Sequence, residues 1–156
     1  MKALLLIFFL VGTHQFSSAQ SNDKGNIHLH FGAVVVYSTY SVGYESFDLL
    51  KNSTKHQIRP FVRIGGWNAS IFNKNNGSLG TIGASYLFGR KNHFLEHSSA
   101  FVAHFDRGLK GKPITFIGGL YRPYLGYRYQ PSEKKVIFKI GTGWREVVQV
   151  GFGYRL

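Results

Sequence analysis

The stretch that decides the fold is Thr115-Phe-Ile-Gly-Gly-Leu-Tyr-Arg-Pro-Tyr-Leu-Gly-Tyr-Arg-Tyr-Gln130. In its second half the odd positions are apolar or aromatic, whereas most even positions carry arginine, glycine or glutamine. A β-strand points successive side chains to opposite faces, so Arg122, Tyr124 and Arg128 share one face, whereas Tyr121, Tyr127 and Tyr129 line the other. A strand of this length spans roughly 50 Å, much more than an ordinary strand. This combination is typical of a small transmembrane β-barrel.

The same alternation recurs along the chain, and no segment has helical periodicity. Glycine- and asparagine-rich turns separate the runs, for example Asn73–Gly77, Gly89–Asn92 and Pro131–Lys134. A further turn is predicted at Ser38-Thr39, and Pro60 indicates the end of a strand. The predicted strands are 27–37, 40–49, 58–67, 79–88, 94–105, 115–130, 135–144 and 147–156. The sequence therefore predicts an all-β fold, an eight-stranded antiparallel up-and-down transmembrane β-barrel that occupies residues 20–156 as one domain.

The first nineteen residues are predicted to be a secretory signal peptide. Lys2 precedes an apolar run from Ala3 to Val11, and Ser17 and Ala19 place small residues before a cut at Gln20. The apolar run is too short for a membrane-spanning helix, which needs about 20 residues. The chain contains no cysteine, which excludes disulfides and lipoprotein anchoring. The mature chain is expected to leave the cytoplasm.

The chain is strongly basic, with a formal net charge of +12. Lys2 is the only charged residue among the first twenty, so the remainder carries +11. Such a balance favours an acidic partner, such as anionic lipid or another polyanion. Nucleic acid is not expected as a partner, because the charges alternate with aromatic residues on an exported chain.

The polar strand faces predict a network of charges in the lumen. Its predicted members are Glu45, Arg59, Arg63, Glu96, Arg122, Arg128, Lys139 and Arg155. A barrel of eight strands is only wide enough to be filled by side chains, so these two carboxylates and six cations must be paired or hydrated. Two interpretations stay open: a hydrated polar plug that stabilises the barrel, and a lumen that binds or conducts anions.

A soluble barrel with the two faces inverted is the main structural alternative, because periodicity alone does not say which face is outside. It would be a periplasmic calycin-like barrel that binds a small ligand in an apolar cavity. Two features favour the membrane barrel. Glycine on the polar faces leaves room for long cationic side chains, and aromatic residues on the apolar faces suit a membrane interface. These aromatic residues are Tyr121, Tyr127, Tyr129, Trp144, Phe152 and Tyr154.

The C-terminal segment Gln149-Val-Gly-Phe-Gly-Tyr-Arg-Leu156 resembles the terminal insertion signal of outer-membrane barrels. The positions that match are Gln149, Gly151, Tyr154 and Leu156, although Leu156 departs from the usual phenylalanine. The segments 86–96 and 126–131 also look like parts of the small outer-membrane β-barrel proteins of Gram-negative bacteria. The segment after Trp144 is short for that family, which indicates a tight or irregular last hairpin.

The resemblance implies a location in the cell outer membrane and contact with outer-membrane lipid and lipopolysaccharide. It also implies insertion by the barrel-assembly machinery, with both termini in the periplasm. Residues 68–77 and 106–113 would then be the longer external loops. These loops would be basic through Lys74, Arg107, Lys110 and Lys112.

Two side-chain patterns suggest chemistry, and neither is complete. His28 and His30 share a strand face, but no third metal ligand lies near them in the sequence. His97 and Ser99 have a spacing similar to that of the lipid A 3-O-deacylase barrels, where a lipid-facing serine hydrolyses an acyl ester. Glu96 is predicted to face away from them. We therefore expect a non-enzymatic protein without a metal or a cofactor, with a structural or surface-interaction role.

Overall fold

A computed structural model describes residues 24–34, 37–50, 53, 55–69, 75–106, 115–144 and 146–156. The predicted signal peptide, Met1–Ala19, lies outside these residues. So do the four basic residues predicted for the external loops, Lys74, Arg107, Lys110 and Lys112. No helix in the described part of the chain is long and apolar enough to cross a membrane.

Eight antiparallel strands form a closed barrel in which each strand pairs with the next and β8 pairs with β1. This confirms the predicted eight-stranded up-and-down architecture. Closure leaves no strand edge unpaired around the ring. The strands are β1 (Asn26–Val34), β2 (Tyr37–Glu45), β3 (His56–Ala69), β4 (Asn75–Arg90), β5 (His93–Asp106), β6 (Thr115–Tyr129), β7 (Val136–Gly143) and β8 (Glu146–Arg155).

The two ends of the barrel differ in their connections. One end, the turn end, holds the start of β1, the end of β8, the short β4–β5 and β6–β7 turns and the longer β2–β3 connection, which runs from 46 to 55. The opposite end, the loop end, holds the β1–β2, β3–β4, β5–β6 and β7–β8 connections. The β4–β5 turn is a two-residue hairpin of Lys91 and Asn92, and Lys91 adopts a φ of 57° to make it.

Several predicted turns are shorter than the sequence indicated, because the strands continue into them. Ser38 and Thr39 are not a turn but part of β2, paired with Asn68 and Trp67 of β3. The loop predicted over 68–77 is shorter at both ends, because 68–69 belong to β3 and 75–77 belong to β4. Gly89 and Arg90 likewise extend β4, and Asp106 extends β5. Polar turn-forming residues are tolerated there because a closed ladder still offers them backbone partners.

Two prolines lie inside strands, at positions where a shorter neighbour has ended. The prediction that Pro60 ends a strand is wrong, because it is the fifth residue of β3. Its carbonyl accepts a hydrogen bond from the Ser46 amide just beyond the end of β2. The Pro123 carbonyl in β6 likewise accepts a hydrogen bond from the Trp144 amide just beyond the end of β7. Each proline therefore faces a neighbour whose strand has just ended, so its missing N–H interrupts no continuing ladder.

The last hairpin is irregular, as its short connection indicated. Gly141 pairs with Gln149, but Gly143 pairs with Glu146, so β8 has one residue more than β7 across this interval. Both Val147 and Val148 are exposed as a consequence, and Glu146 is buried. A β-bulge of this kind reverses the side to which the preceding residues point.

The barrel has a polar interior and an apolar exterior. Four charged residues in the interior are at most 1% exposed: Glu45, Glu96, Arg128 and Lys139. Apolar side chains fill further inward positions near the turn end, including Leu87 and Ile137 at 0% exposure. Small residues open space for larger neighbours: a Cβ at Gly153 of β8 would collide with the His28 ring of β1.

Candidate functional site

Two carboxylates and two cations form a closed network across the lumen near the turn end. We call Glu45, Glu96, Arg128 and Lys139 the buried ion cluster. The Glu45 carboxylate accepts hydrogen bonds from Arg128 Nη1 at 2.7 Å and from Lys139 Nζ at 2.9 Å. The Glu96 carboxylate accepts one from Lys139 Nζ at 3.0 Å and lies 3.7 Å from Arg128 Nη1. Each cation therefore contacts both carboxylates.

The strand register explains why this cluster forms. Arg128 of β6 and Lys139 of β7 are direct cross-strand partners, an arrangement that repels unless anions lie between the two charges. Glu45 comes from β2, the strand opposite β6 in a ring of eight, and its 2.7 Å contact with Arg128 spans the lumen. The lumen is therefore filled by side chains at this level.

Three further side chains surround the buried ion cluster. Ser85 Oγ donates a hydrogen bond to Glu96 Oε1 at 3.0 Å. His28 Nε2 lies 3.5 Å from Glu45 Oε2, and Arg59 Nε lies 3.9 Å from Glu45 Oε1. Glu45 thus contacts cationic or imidazole groups on every side, which compensates for the loss of its hydration.

A second ion pair lies near the loop end. We call Arg122 and Glu146 the rim pair: Arg122 Nη1 donates to Glu146 Oε1 at 3.1 Å. Thr39 Oγ1 and Gln149 Nε2 donate to the two Glu146 oxygens at 2.8 Å and 2.6 Å. Arg122 also donates to Tyr37 Oη at 3.2 Å, and its side chain is 11% exposed. The rim pair is therefore closer to water than the buried ion cluster.

The remaining two members of the predicted set differ in position. Arg155 lies at the turn-end mouth, where it donates to the carbonyls of Ser132 and Pro131 at 3.2 and 3.3 Å. It lines an open depression of about 400 Å³ together with Lys91. Arg63 projects from β3 at mid-height, its guanidinium carbon 3.9 Å from the centre of the Phe61 ring.

The sequence missed Glu146 as a lumen residue. It has the same parity as Val148 and Val150, which would place it on the outer face, but the β8 bulge turns it inward, where it is 2% exposed. The inward set therefore holds a third carboxylate. A tight hairpin after Trp144 was the only sequence signal that such a shift was present.

The four residues of the predicted insertion signal occupy the last strand and the C-terminus. Gly151 faces the lumen beside the His30 ring, and Gln149 bonds Glu146. Tyr154 and Leu156 are exposed, by 51% and 43%. The Leu156 amide donates to the Gly25 carbonyl, which fixes the C-terminus against the start of β1.

The outer wall is an apolar surface to which every strand contributes. Among the described residues, outward strand positions carry no Asp, Glu or Lys, and the one Arg, Arg90, is the last residue of β4. Ile64 and Phe101 are 70% and 67% exposed. Other exposed members include Ile27, Leu29, Val42, Val62, Ile82, Leu95, Leu125, Ile140, Val147 and Phe152.

Tyrosine and histidine form a ring around the turn end of this wall. Tyr127 Oη lies 2.6 Å from His93 Nδ1, and Tyr86 Oη is hydrogen-bonded to His56. Tyr44 Oη donates to the Lys24 carbonyl at 2.8 Å. Amphipathic rings with their polar tips toward one end of an apolar band are typical of a membrane–water interface.

His97 and Ser99 lie on the outer wall, and Glu96 faces the lumen as predicted. Ser99 Oγ lies 3.4 Å from His97 Nε2 and 2.8 Å from Tyr121 Oη. Glu96 is bonded inside the barrel by Ser85 and Lys139, so it does not orient His97. His28 and His30 lie with ring centres 5.7 Å apart, and no group of three His, Cys, Asp or Glu within the described residues is placed to hold a metal ion.

A comparison with protein-family profiles, with curated proteins and with solved structures found no match to this chain.

Proposed function

We propose that this chain is an integral β-barrel of the outer membrane of a Gram-negative bacterium, non-enzymatic, with a structural or surface-interaction role. One observation carries the proposal: all eight strands expose large apolar side chains outward while ion pairs are buried inside. Water would disfavour that surface, since soluble proteins rarely expose contiguous apolar patches beyond a few hundred Å². A bilayer favours it.

The same arrangement indicates the expected partners. Outer-membrane lipid and lipopolysaccharide would cover the apolar wall. The barrel-assembly machinery would recognise the C-terminal strand, in which Tyr154 and Leu156 are exposed. The soluble calycin-like alternative requires apolar groups inside and charges outside, the reverse of the faces described above.

Cell fractionation followed by gel electrophoresis tests the proposal directly. We expect the protein to sediment with outer membranes and to migrate differently before and after boiling, because a closed barrel resists mild detergent. Recovery in the soluble periplasmic fraction, with no change in migration on boiling, would contradict it.

A charge on the outer wall separates a membrane barrel from a soluble one more sharply. Ile64→Arg places a guanidinium at mid-height, which costs about 2–4 kcal/mol at a bilayer midplane. We expect loss of membrane assembly for this variant. Asn76→Arg, at an exposed position near the loop end of β4, is the matched control and should assemble normally. Equal behaviour of the two variants would favour a soluble barrel.

The lumen is proposed to be a plug and not a pore, because the 2.7 Å contact between Glu45 and Arg128 crosses it. Planar-bilayer recordings of the purified protein should therefore show no stepwise conductance. Steps of constant size that disappear in Arg122→Ala would instead support an anion-conducting lumen.

Acyl hydrolysis is a second candidate, favoured by the 3.4 Å approach of Ser99 Oγ to His97 Nε2. Serine would attack the ester carbonyl while histidine accepts its proton. Mass spectrometry of lipid A after incubation with the purified protein tests it. We expect no fatty acid release; release that is lost in Ser99→Ala, with folding unchanged, would replace the non-enzymatic proposal.

A further inference from the structure

Arg63 differs from the other cations that project into the lumen. Within the described part of the chain, Arg59, Arg122, Arg128 and Lys139 each have a carboxylate oxygen within 4 Å, and Arg63 has none. Its guanidinium packs on the Phe61 ring, which supplies a weak cation–π attraction and no counter-charge. Arg63 is half-buried, so water reaches part of its charge, while the part that faces the lumen has no carboxylate oxygen within hydrogen-bonding distance.

A small polar cavity of about 50 Å³ lies beside Arg63, on the loop side of the buried ion cluster. The rim pair lines it too, and the Glu146 oxygens there accept hydrogen bonds from Arg122, Thr39 and Gln149. Hydroxyl groups that can donate hydrogen bonds project around it. They come from four strands of the wall: Ser41, Thr81, Ser98 and Tyr124. His30 also lines it; that residue is 9% exposed, and its Nε2 has no hydrogen-bond partner. Arg122 lines the side of the cavity that faces the loop end, and its Nε is likewise buried without a hydrogen-bond partner.

We propose that this cavity binds one small monovalent anion, such as chloride, with Arg63 as its principal charge partner. The guanidinium and the surrounding hydroxyls all donate, which is what a halide accepts, and charge-assisted hydrogen bonds are the stronger kind. The volume suits a small anion together with a few water molecules, because about 10–15 Å³ of such space is enough for one water.

The charge count of the lumen supports the same conclusion. Among the described residues, the five inward cations Arg59, Arg63, Arg122, Arg128 and Lys139 face three inward carboxylates, Glu45, Glu96 and Glu146. One bound anion at Arg63 offsets part of this positive excess at the cation that has no carboxylate oxygen within 4 Å. The inference depends on the lumen alone and holds whether or not the barrel spans a membrane.

The test uses bromide, which scatters anomalously, as the probe. Crystals of the full mature chain grown in sodium bromide should show one anomalous peak in the cavity within hydrogen-bonding distance of Arg63. The absence of a peak there at saturating bromide would overturn the proposal. This measurement needs no variant, so it does not depend on how a substitution folds.

Thermal unfolding in detergent provides the second arm. At equal ionic strength, sodium bromide should raise the unfolding temperature above its value in sodium gluconate, whose anion is too large for the cavity. Arg63→Gln should weaken bromide binding at least about tenfold, the order expected when a hydrogen bond to a charged group is lost. The matched control Arg155→Gln, at the turn-end mouth, should keep the full bromide response. An equal response in all three proteins would show general screening and contradict the site.

Discussion

The two halves of the lumen use the same residue types with different results. Near the turn end, Glu45 and Glu96 reach across the barrel and separate two cations, so that four ionised side chains are at most 1% exposed. Toward the loop end, Glu146 binds Arg122, and Arg63, which lines the same cavity, has no carboxylate oxygen within 4 Å. Charged side chains close the lumen at the level where Glu45 and Arg128, on opposite strands, meet.

This difference determines how each half should respond to substitution. Breaking a buried ion pair by removing one partner leaves an uncompensated charge and typically costs 3–5 kcal/mol. A pair that water can reach loses much less, because the remaining charge is rehydrated. The predictions below test that ranking by the free energy of unfolding of the barrel in detergent or lipid vesicles.

The largest loss is expected for Glu45→Gln. This carboxylate contacts Arg128 and Lys139 and lies 3.9 Å from Arg59, so its neutralisation leaves three cations with one carboxylate. We expect a loss of about 3–5 kcal/mol, or failure to fold. Urea titration followed by the gel shift between folded and unfolded barrel measures it.

Glu133→Gln is the control for that variant. Glu133 is exposed in the β6–β7 turn, so its neutralisation changes the net charge by the same amount without touching the lumen. A loss of similar size in both variants would mean that net charge, and not the buried ion cluster, determines stability.

The next effect is the coupling between Glu96 and Lys139, whose charged atoms are 3.0 Å apart. We expect Glu96→Gln and Lys139→Met together to destabilise the barrel less than the sum of the two single substitutions, by about 1–3 kcal/mol. Removing both charges leaves Glu45 and Arg128 as a neutral pair. Additive effects in a double-mutant cycle would show that the cluster does not act as one unit.

A smaller loss of about 1 kcal/mol in the free energy of unfolding is expected for Glu146→Gln. The amide oxygen can still accept from Thr39, and Gln149 can rotate its own amide so that its oxygen accepts from the new NH2 group. Arg122, whose side chain is 11% exposed, can be hydrated from the loop end. Guanidine hydrochloride is unsuitable here because its salt screens the pair, so urea is used. A loss as large as that of Glu45→Gln would remove the distinction between the two halves.

The sequence predicts part of this arrangement because strand geometry has a period of two residues. Glu45, Glu96, Arg128 and Lys139 lie on uninterrupted stretches, so their inward direction follows from parity. Their pairing does not, since it joins residues 43 to 94 positions apart and depends on the closure of the barrel. Parity does not predict the inward direction of Glu146, because one extra residue in β8 reverses the alternation at the start of that strand.

The smallest effect is expected for Arg155→Gln, which removes a cation from the same inward set at the turn-end mouth. Arg155 bonds two backbone carbonyls, of Ser132 and Pro131, in an open depression, so water can replace it there. We expect a loss below about 0.5 kcal/mol, in the range of exposed polar contacts. Arg128→Gln, at a position farther from the turn-end mouth and 0% exposed, is the matched comparison and should lose several-fold more free energy of unfolding. Parity assigns both arginines to the lumen, so a large difference between them would show that depth along the strand, and not the face alone, determines what a charge contributes. Equal losses would mean that the barrel is hydrated along its whole length, and the contrast between its two halves would then disappear.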